Sequence, residues 1–165
     1  MKQKVKIMSV DSVREYLKEF NKDSDVLEFE VSSATVELAA KAIGCEPAHI
    51  AKSLTFWIGE NPIMIVCAGD MKIDNSKFKA VFETKAKMIC FDEVENAVGH
   101  AVGGVCPFAI KEGVKVYLDI SLKRFDKVYP ACGSSNSAIG LTLSEIEKIC
   151  QNFNGFIDVC KSIEV

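Results

Sequence analysis

Ser53-Leu-Thr-Phe-Trp-Ile-Gly-Glu-Asn-Pro-Ile-Met-Ile-Val-Cys-Ala68 contains two apolar runs, 53–58 and 62–68, interrupted by Gly59, Glu60 and Asn61. Short runs rich in aromatic and β-branched residues around a glycine-containing break predict an antiparallel hairpin. Helical spacing appears on both sides. Upstream, Ser12-Val-Arg-Glu15 has the pattern of a capping box, and Val13, Tyr16, Leu17 and Phe20 recur as one helix face running to about Phe20. Residues 27–31 alternate like a strand. Thr35 is suited to cap a helix over 36–43 that Gly44 stops, and Glu46-Pro47 begins a short turn leading to Lys52. Downstream, Phe78, Val81 and Phe82 predict a helix over 75–84. A strand over 87–91, a short helix over 92–98 and strands over 114–119 and 127–132 follow. A last helix spans 143–152, capped by Thr142 or Ser144, and residues 156–160 close the chain as a final strand. Hairpin signals without regular βαβ alternation point to a mixed α+β fold, a mixed sheet with helices packed around it.

With 165 residues, 48% of them hydrophobic, the chain is sized for one domain, 1–165, with a substantial core. No Pro/Gly/Ser-rich linker or repeat divides it. Its apolar runs fall short of the roughly 20 residues that span a bilayer, so no membrane partner is expected. The basic start Met1-Lys-Gln-Lys-Val-Lys-Ile-Met8 leads into Ser9-Val-Asp-Ser12 rather than an apolar core. It does not read as a secretion signal, and a cytoplasmic location is expected. The seven cysteines never form a Cys-x-x-Cys pair, which argues against a disulfide framework and a structural zinc site. A net charge of −3 does not suit an extended grip on nucleic acid. Lys72, Lys77, Lys79, Lys85 and Lys87 crowd one segment, either as a local basic edge or as a solvated helix face.

Two features carry chemistry. Gly99-His-Ala-Val-Gly-Gly-Val-Cys-Pro-Phe108 is a loop whose glycines let a ligand approach the main chain and whose Pro107 fixes the exit. Lys52 opens the apolar run of the hairpin, where an ammonium gains from meeting an anion or a carbonyl. The competing readings are a tight surface turn and a strand-edge lysine reaching water. His100 has an imidazole suited to proton transfer. Cys106 and Cys132 stand in or near the glycine loops, without a base beside them in sequence. Gly69-Asp70 and Asp119 end apolar strands, where a carboxylate orients a ligand or simply serves a turn. Gly133-Ser-Ser-Asn-Ser-Ala-Ile-Gly140 offers small polar groups, as an ordinary hairpin loop also would. His49 reads as a packing or capping residue and Trp57 as core.

An ordered series runs from Thr35 to Ile149: Ala39-Ala-Lys-Ala-Ile-Gly44, His49-Ile-Ala-Lys-Ser-Leu54, Val66-Cys-Ala-Gly-Asp70, the loop from Gly99 to Phe108, Val116-Tyr-Leu-Asp119 and Ala131-Cys-Gly133. In it the chain resembles the YbaK/EbsC group, free-standing relatives of the editing domain of bacterial prolyl-tRNA synthetases. The resemblance implies a barrel-like curled mixed sheet surrounded by helices. It also implies hydrolysis of the ester of a mischarged tRNA, with Lys52 as catalytic residue. Together with the residue-level readings above, the candidate substrate-binding set is Gly99, His100, Gly103, Gly104, Val105, Pro107, Phe108, Gly69, Asp70, Asp119, Cys132 and Gly133. The implied partners are the acceptor end of an aminoacyl-tRNA and a prolyl-tRNA synthetase; neither a metal nor an organic cofactor is called for. Relatives that edit alanine carry a histidine in the loop after Gly133, and none stands here, so cysteine or another small amino acid on tRNA(Pro) is at least as apt. The alternatives are a non-catalytic module binding an aminoacyl-tRNA end or a nucleotide, and a cysteine-dependent hydrolase.

Overall fold

The computed structural model describes residues 9–163, so the basic residues 1–8 read above lie outside the described residues. The hairpin forms as expected and is the spine of the fold. β2 (Ile50–Ile58) pairs antiparallel with β3 (Asn61–Ala68), from Ala51 opposite Ala68 to Ile58 opposite Asn61. β5 (Lys115–Asp119) lies parallel to β3, and β9 (Phe153–Ile157) parallel to β5. On the other side β6 (Lys127–Pro130) runs parallel to β2, and β8 (Leu141–Thr142) antiparallel to β6. The order β8-β6-β2-β3-β5-β9 makes a curled half-barrel. Two short antiparallel ladders flank it: β1 (Leu27–Glu28) with β7 (Ser137–Ala138), and β4 (Met71–Ile73) with β10 (Cys160–Ser162).

Alternation along β3 divides the core between the two sheet faces. Met64, Val66 and Ala68 join a large cluster with α1 (Ser9–Leu17), α4 (Phe91–Val98) and α5 (Leu143–Ile149). Ile63, Ile65 and Cys67 join a smaller one closed by Phe78 of α3 (Asn75–Phe82). α2 (Val36–Ile43) lays Ala39 and Ala40 against Ile50, with Thr35 Oγ1 accepting from Leu38 N and Gly44 ending it at φ 88°. Thr142 and Glu145 close a reciprocal capping box on α5.

Several expected boundaries move. α1 already begins at Ser9, so Ser12 lies inside the helix rather than at its cap, and a 3₁₀ turn carries the path to Phe20. The strand expected over 27–31 shrinks to two residues. Residues 87–91 form no strand: they meet β2 at a single bridge, Phe56 to Met88, before α4 starts at Phe91. The helix expected over 143–152 stops at Ile149, because Cys150 turns extended and the Gln151 amide is drawn to Pro107 O. The strand expected over 156–160 is two strands, β9 and β10, separated where Val159 N turns to bond Asp119.

Asp119 is a structural carboxylate. It is 1% exposed, and its two oxygens accept from Ser121 N and Val159 N, both at 2.9 Å. Asp119→Ala leaves two buried donors without an acceptor and should cost about 3 kcal/mol, read as a lower urea midpoint.

Candidate active site

β2 is covered by β6 only at its start and by residues 87–89 only near its end. Between these covers the strand edge opens on a cavity of about 480 Å³. Residues 33–36 form one wall as they enter α2, and Met88, Ile89, Phe91 and Val94 form another. Val102, Gly103 and Val105 of the glycine loop, with Tyr129, Ala131 and β7, complete it. The lining is mostly apolar, and among the described residues that form it Lys52 is the only charged side chain.

Lys52 is the third residue of β2, opposite Cys67. Its half-buried ammonium reaches Gly69 O at a long 3.5 Å. An ammonium has three donors, so this contact leaves capacity for a ligand oxygen. Gly69 is held close by packing: a Cβ there would stand 2.1 Å from Pro47 O.

The glycine loop divides into a part that faces the cavity and a part that holds the loop in place. Gly103, at φ 102°, and Val105 line the cavity. Gly104 does not line it; its amide donates to Ala101 O at 3.0 Å, and a Cβ on it would lie 2.5 Å from the carbonyl carbon of Gly133. Gly104 and Gly133 are therefore where two loops touch, which corrects the expectation that Gly104 belongs to the substrate-binding set. Gly99 ends α4 at φ 105°, its amide bonding Glu95 O. Pro107 and Phe108 are buried, with Phe108 beside Tyr16 at 6.2 Å.

His100, 1% exposed, also lies behind the loop, with Nε2 donating to Phe108 O at 2.7 Å. Burial lowers its pKa below the ordinary 6.5, so it is neutral at pH 7. The unfolded chain then takes up a proton before the fold does. The contribution of His100 to stability is complete above about pH 6.5 and drains away as the pH falls toward its depressed folded value. Urea midpoints compared at pH 5 and pH 7.5 should show this loss, and His100→Gln should flatten it.

Cys106 and Cys132 are fully buried away from the cavity lining. Burial pushes the Cys106 thiol up to about 12 and raises that of Cys132 well above its usual value, so neither supplies a thiolate at neutral pH. Asp70 is clasped by Arg124 through two bonds of 2.6 and 3.1 Å, and this pairing holds its carboxyl below the usual range. The structure thus brings Lys52, Gly103 and Val105 together on one cavity, with Gly69 adjoining through its carbonyl. Gly99, His100, Gly104, Pro107, Phe108, Asp70, Asp119, Cys132 and Gly133 stand outside the lining. Ser53, Thr35, Phe91 and Tyr129 line it without having been read as site residues. Thr35 was visible as a helix cap, and Phe91, 77% exposed, stood out only as an aromatic at a presumed strand end.

A second cleft of about 440 Å³, between Cys45, His49, Arg124 and Phe125, shares Tyr129 with the first. His49 packs there, edge-on to Phe125 at 4.4 Å between centroids. Lys77 in the basic segment is tied to Asp158 and Cys160 O, both at 3.0 Å. Among the described residues no three His, Cys, Asp or Glu side chains gather in a group able to hold a metal ion. No helix among them is long and apolar enough to cross a membrane.

Residues 30–149 match the aminoacyl-tRNA editing domain, and the chain belongs to that family. The activity of this class is aminoacyl-tRNA deacylation. The chain is 51% identical over 158 residues to the uncharacterized protein YwhH of Bacillus subtilis (strain 168), a match covering 95% of this chain and all of that one. It is also 30% identical over 90 residues to the proline–tRNA ligase of Aquifex aeolicus (strain VF5), covering 53% of this chain but only 16% of the ligase. In fold it is similar to the crystal structure of a candidate trans-editing enzyme for prolyl tRNA synthetase, with a TM-score of 0.82 and 24% identity over 96% of this chain and all of the other.

Proposed function

We propose that the protein is a free-standing deacylase that removes cysteine or another small amino acid from tRNA(Pro), with Lys52 as its catalytic residue. One observation carries this reading: a mostly apolar cavity in which the sole charged side chain among the described residues is an ammonium. In such surroundings a single cation acts strongly on the charge that develops in an ester as it is attacked. Water adds to the ester carbonyl carbon, the bond to the ribose oxygen breaks, and free amino acid and tRNA are released. The proton lost by water ends on the ribose oxygen, with the neighbouring ribose hydroxyl suited to relay it. Lys52 stabilises the negative carbonyl oxygen or holds the terminal phosphate, and the Gly103 segment closes around the acyl group. No protein nucleophile is required, consistent with Cys106 and Cys132 lying behind the wall as buried thiols.

A separate editing site is useful because one missing methylene gives a synthetase only about 1–3 kcal/mol of discrimination. The apolar floor accepts a small side chain. The acceptor end of the tRNA lies at the cavity mouth, and a prolyl-tRNA synthetase in the cytoplasm is the source of the mischarged substrate. The test is deacylation of Cys-, Ala-, Ser- and Pro-tRNA(Pro) by the wild-type protein. Rapid loss of cysteine or another small residue with proline spared is the expected result. Binding of all four without turnover would instead indicate a non-catalytic module.

A further inference from the structure

The open stretch of β2 is one residue wide. Along a strand, alternate residues turn both backbone polar groups to the same side. Trp57 N donates to Lys87 O at 2.9 Å, and Thr55 O accepts from Ile89 N at 3.1 Å, so these two odd-numbered residues face away from β3. At the start of the strand Ala51 is paired on that side with Pro130 of β6. Ser53 lies between them with the same orientation. Among the described residues no segment pairs with it on that side. Its Oγ, too, is buried without a hydrogen-bond partner among those residues. Ser53 lines the cavity beside Lys52.

An open strand edge is a template for another peptide-like group. An α-aminoacyl ester is such a group: its amino nitrogen and carbonyl oxygen are separated as the N–H and C=O of one strand residue are. We infer that the aminoacyl group pairs with the β2 edge as a single added strand residue, its α-amino group donating to Ser53 O and its carbonyl accepting from Ser53 N–H. This inference rests on the deacylase reading and deepens it, for it makes Ser53 the residue that recognises the substrate as an amino acid. The pairing presents the ester carbonyl beside Lys52, the preceding residue on the same strand. Acyl groups without an α-amino nitrogen lose half of the pairing whatever their side chain.

The test compares two non-hydrolysable inhibitors of wild-type turnover, 3′-deoxy-3′-(alanylamino)adenosine and its propionylamino counterpart, which lacks only the amino group. The inhibition constant of the propionyl compound should be higher by about tenfold or more, the weight of a hydrogen bond made in a water-poor site. Equal inhibition by the two overturns the pairing. Ser53→Pro removes the inferred donor while leaving the ladder to β3 intact, since that N–H faces away from β3, the arrangement in which proline is tolerated at a strand edge. Its kcat/KM should fall about tenfold or more. A folded Ser53→Pro protein as active as wild type overturns the inference. If Ser53→Pro does not fold, the inhibitor pair decides. Failure of the wild-type protein to deacylate any aminoacyl-tRNA overturns the functional reading itself, an outcome distinct from turnover with equal inhibition.

Discussion

Lys52→Ala should lower kcat/KM for aminoacyl-tRNA deacylation by about 100-fold or more, the usual cost of removing one preorganised donor from a developing oxyanion. The size of the effect follows from the lining. With no carboxylate, imidazole or thiol on the cavity wall, nothing among the described residues there can take over the work of the ammonium. The same substitution should leave the fold almost unchanged. Lys52 is half-buried and its hydrogen bond to Gly69 O is long at 3.5 Å, so less than about 1 kcal/mol of stability is at stake. Lys52→Arg should not restore activity, because a planar fork does not occupy the place of a compact ammonium. Thermal unfolding measured beside the kinetics separates the two effects. A loss below about tenfold in a folded Lys52→Ala protein contradicts the assignment.

Gly104→Ala should lower stability markedly. Its Cβ would fall 2.5 Å from Gly133 C and 2.6 Å from Ser134 N, backbone atoms that cannot rotate away as a side chain does. Overpacking of this kind costs about 3 kcal/mol. For a domain of this size that corresponds to a Tm lower by roughly 6–12 °C. Gly113→Ala provides the comparison. Gly113 also has a positive φ, 92°, but nothing lies within 4 Å of its added Cβ, so only backbone strain of about 1 kcal/mol applies. If the two variants melt together, Gly104 is not the point of contact between the loops. Activity of Gly104→Ala should fall as well, even where the protein stays folded, because Gly103 in the cavity wall is its neighbour.

The contrast between Gly103 and Gly104 shows how far the sequence could be read. Two adjacent glycines before a proline announce a loop with unusual backbone demands, and that expectation holds. Which glycine faces the cavity and which receives Gly133 depends on a second loop some thirty residues away, and no local pattern encodes it. Lys52 was legible because it stands as an ammonium at the opening of an apolar run, and the hairpin behind it because its two runs have strand length and a glycine turn. Ser53 was not, since its place on a strand edge left open among the described residues is a property of topology. The strand expected over 87–91 failed for a related reason. Its residues have strand propensity, but only Lys87 and Ile89 find backbone partners on β2 before the chain turns into α4. His100 and Asp119 misled in the opposite direction: both have chemically versatile side chains, yet both are 1% exposed and engaged with the backbone.

The most direct test of the account is the structure of the protein bound to 3′-deoxy-3′-(alanylamino)adenosine. The aminoacyl carbonyl should lie within hydrogen-bonding distance of Lys52 Nζ, inside the cavity between β2, the start of α2 and Gly103. Binding instead in the cleft formed by Cys45, His49 and Arg124, with Lys52 untouched, would contradict it.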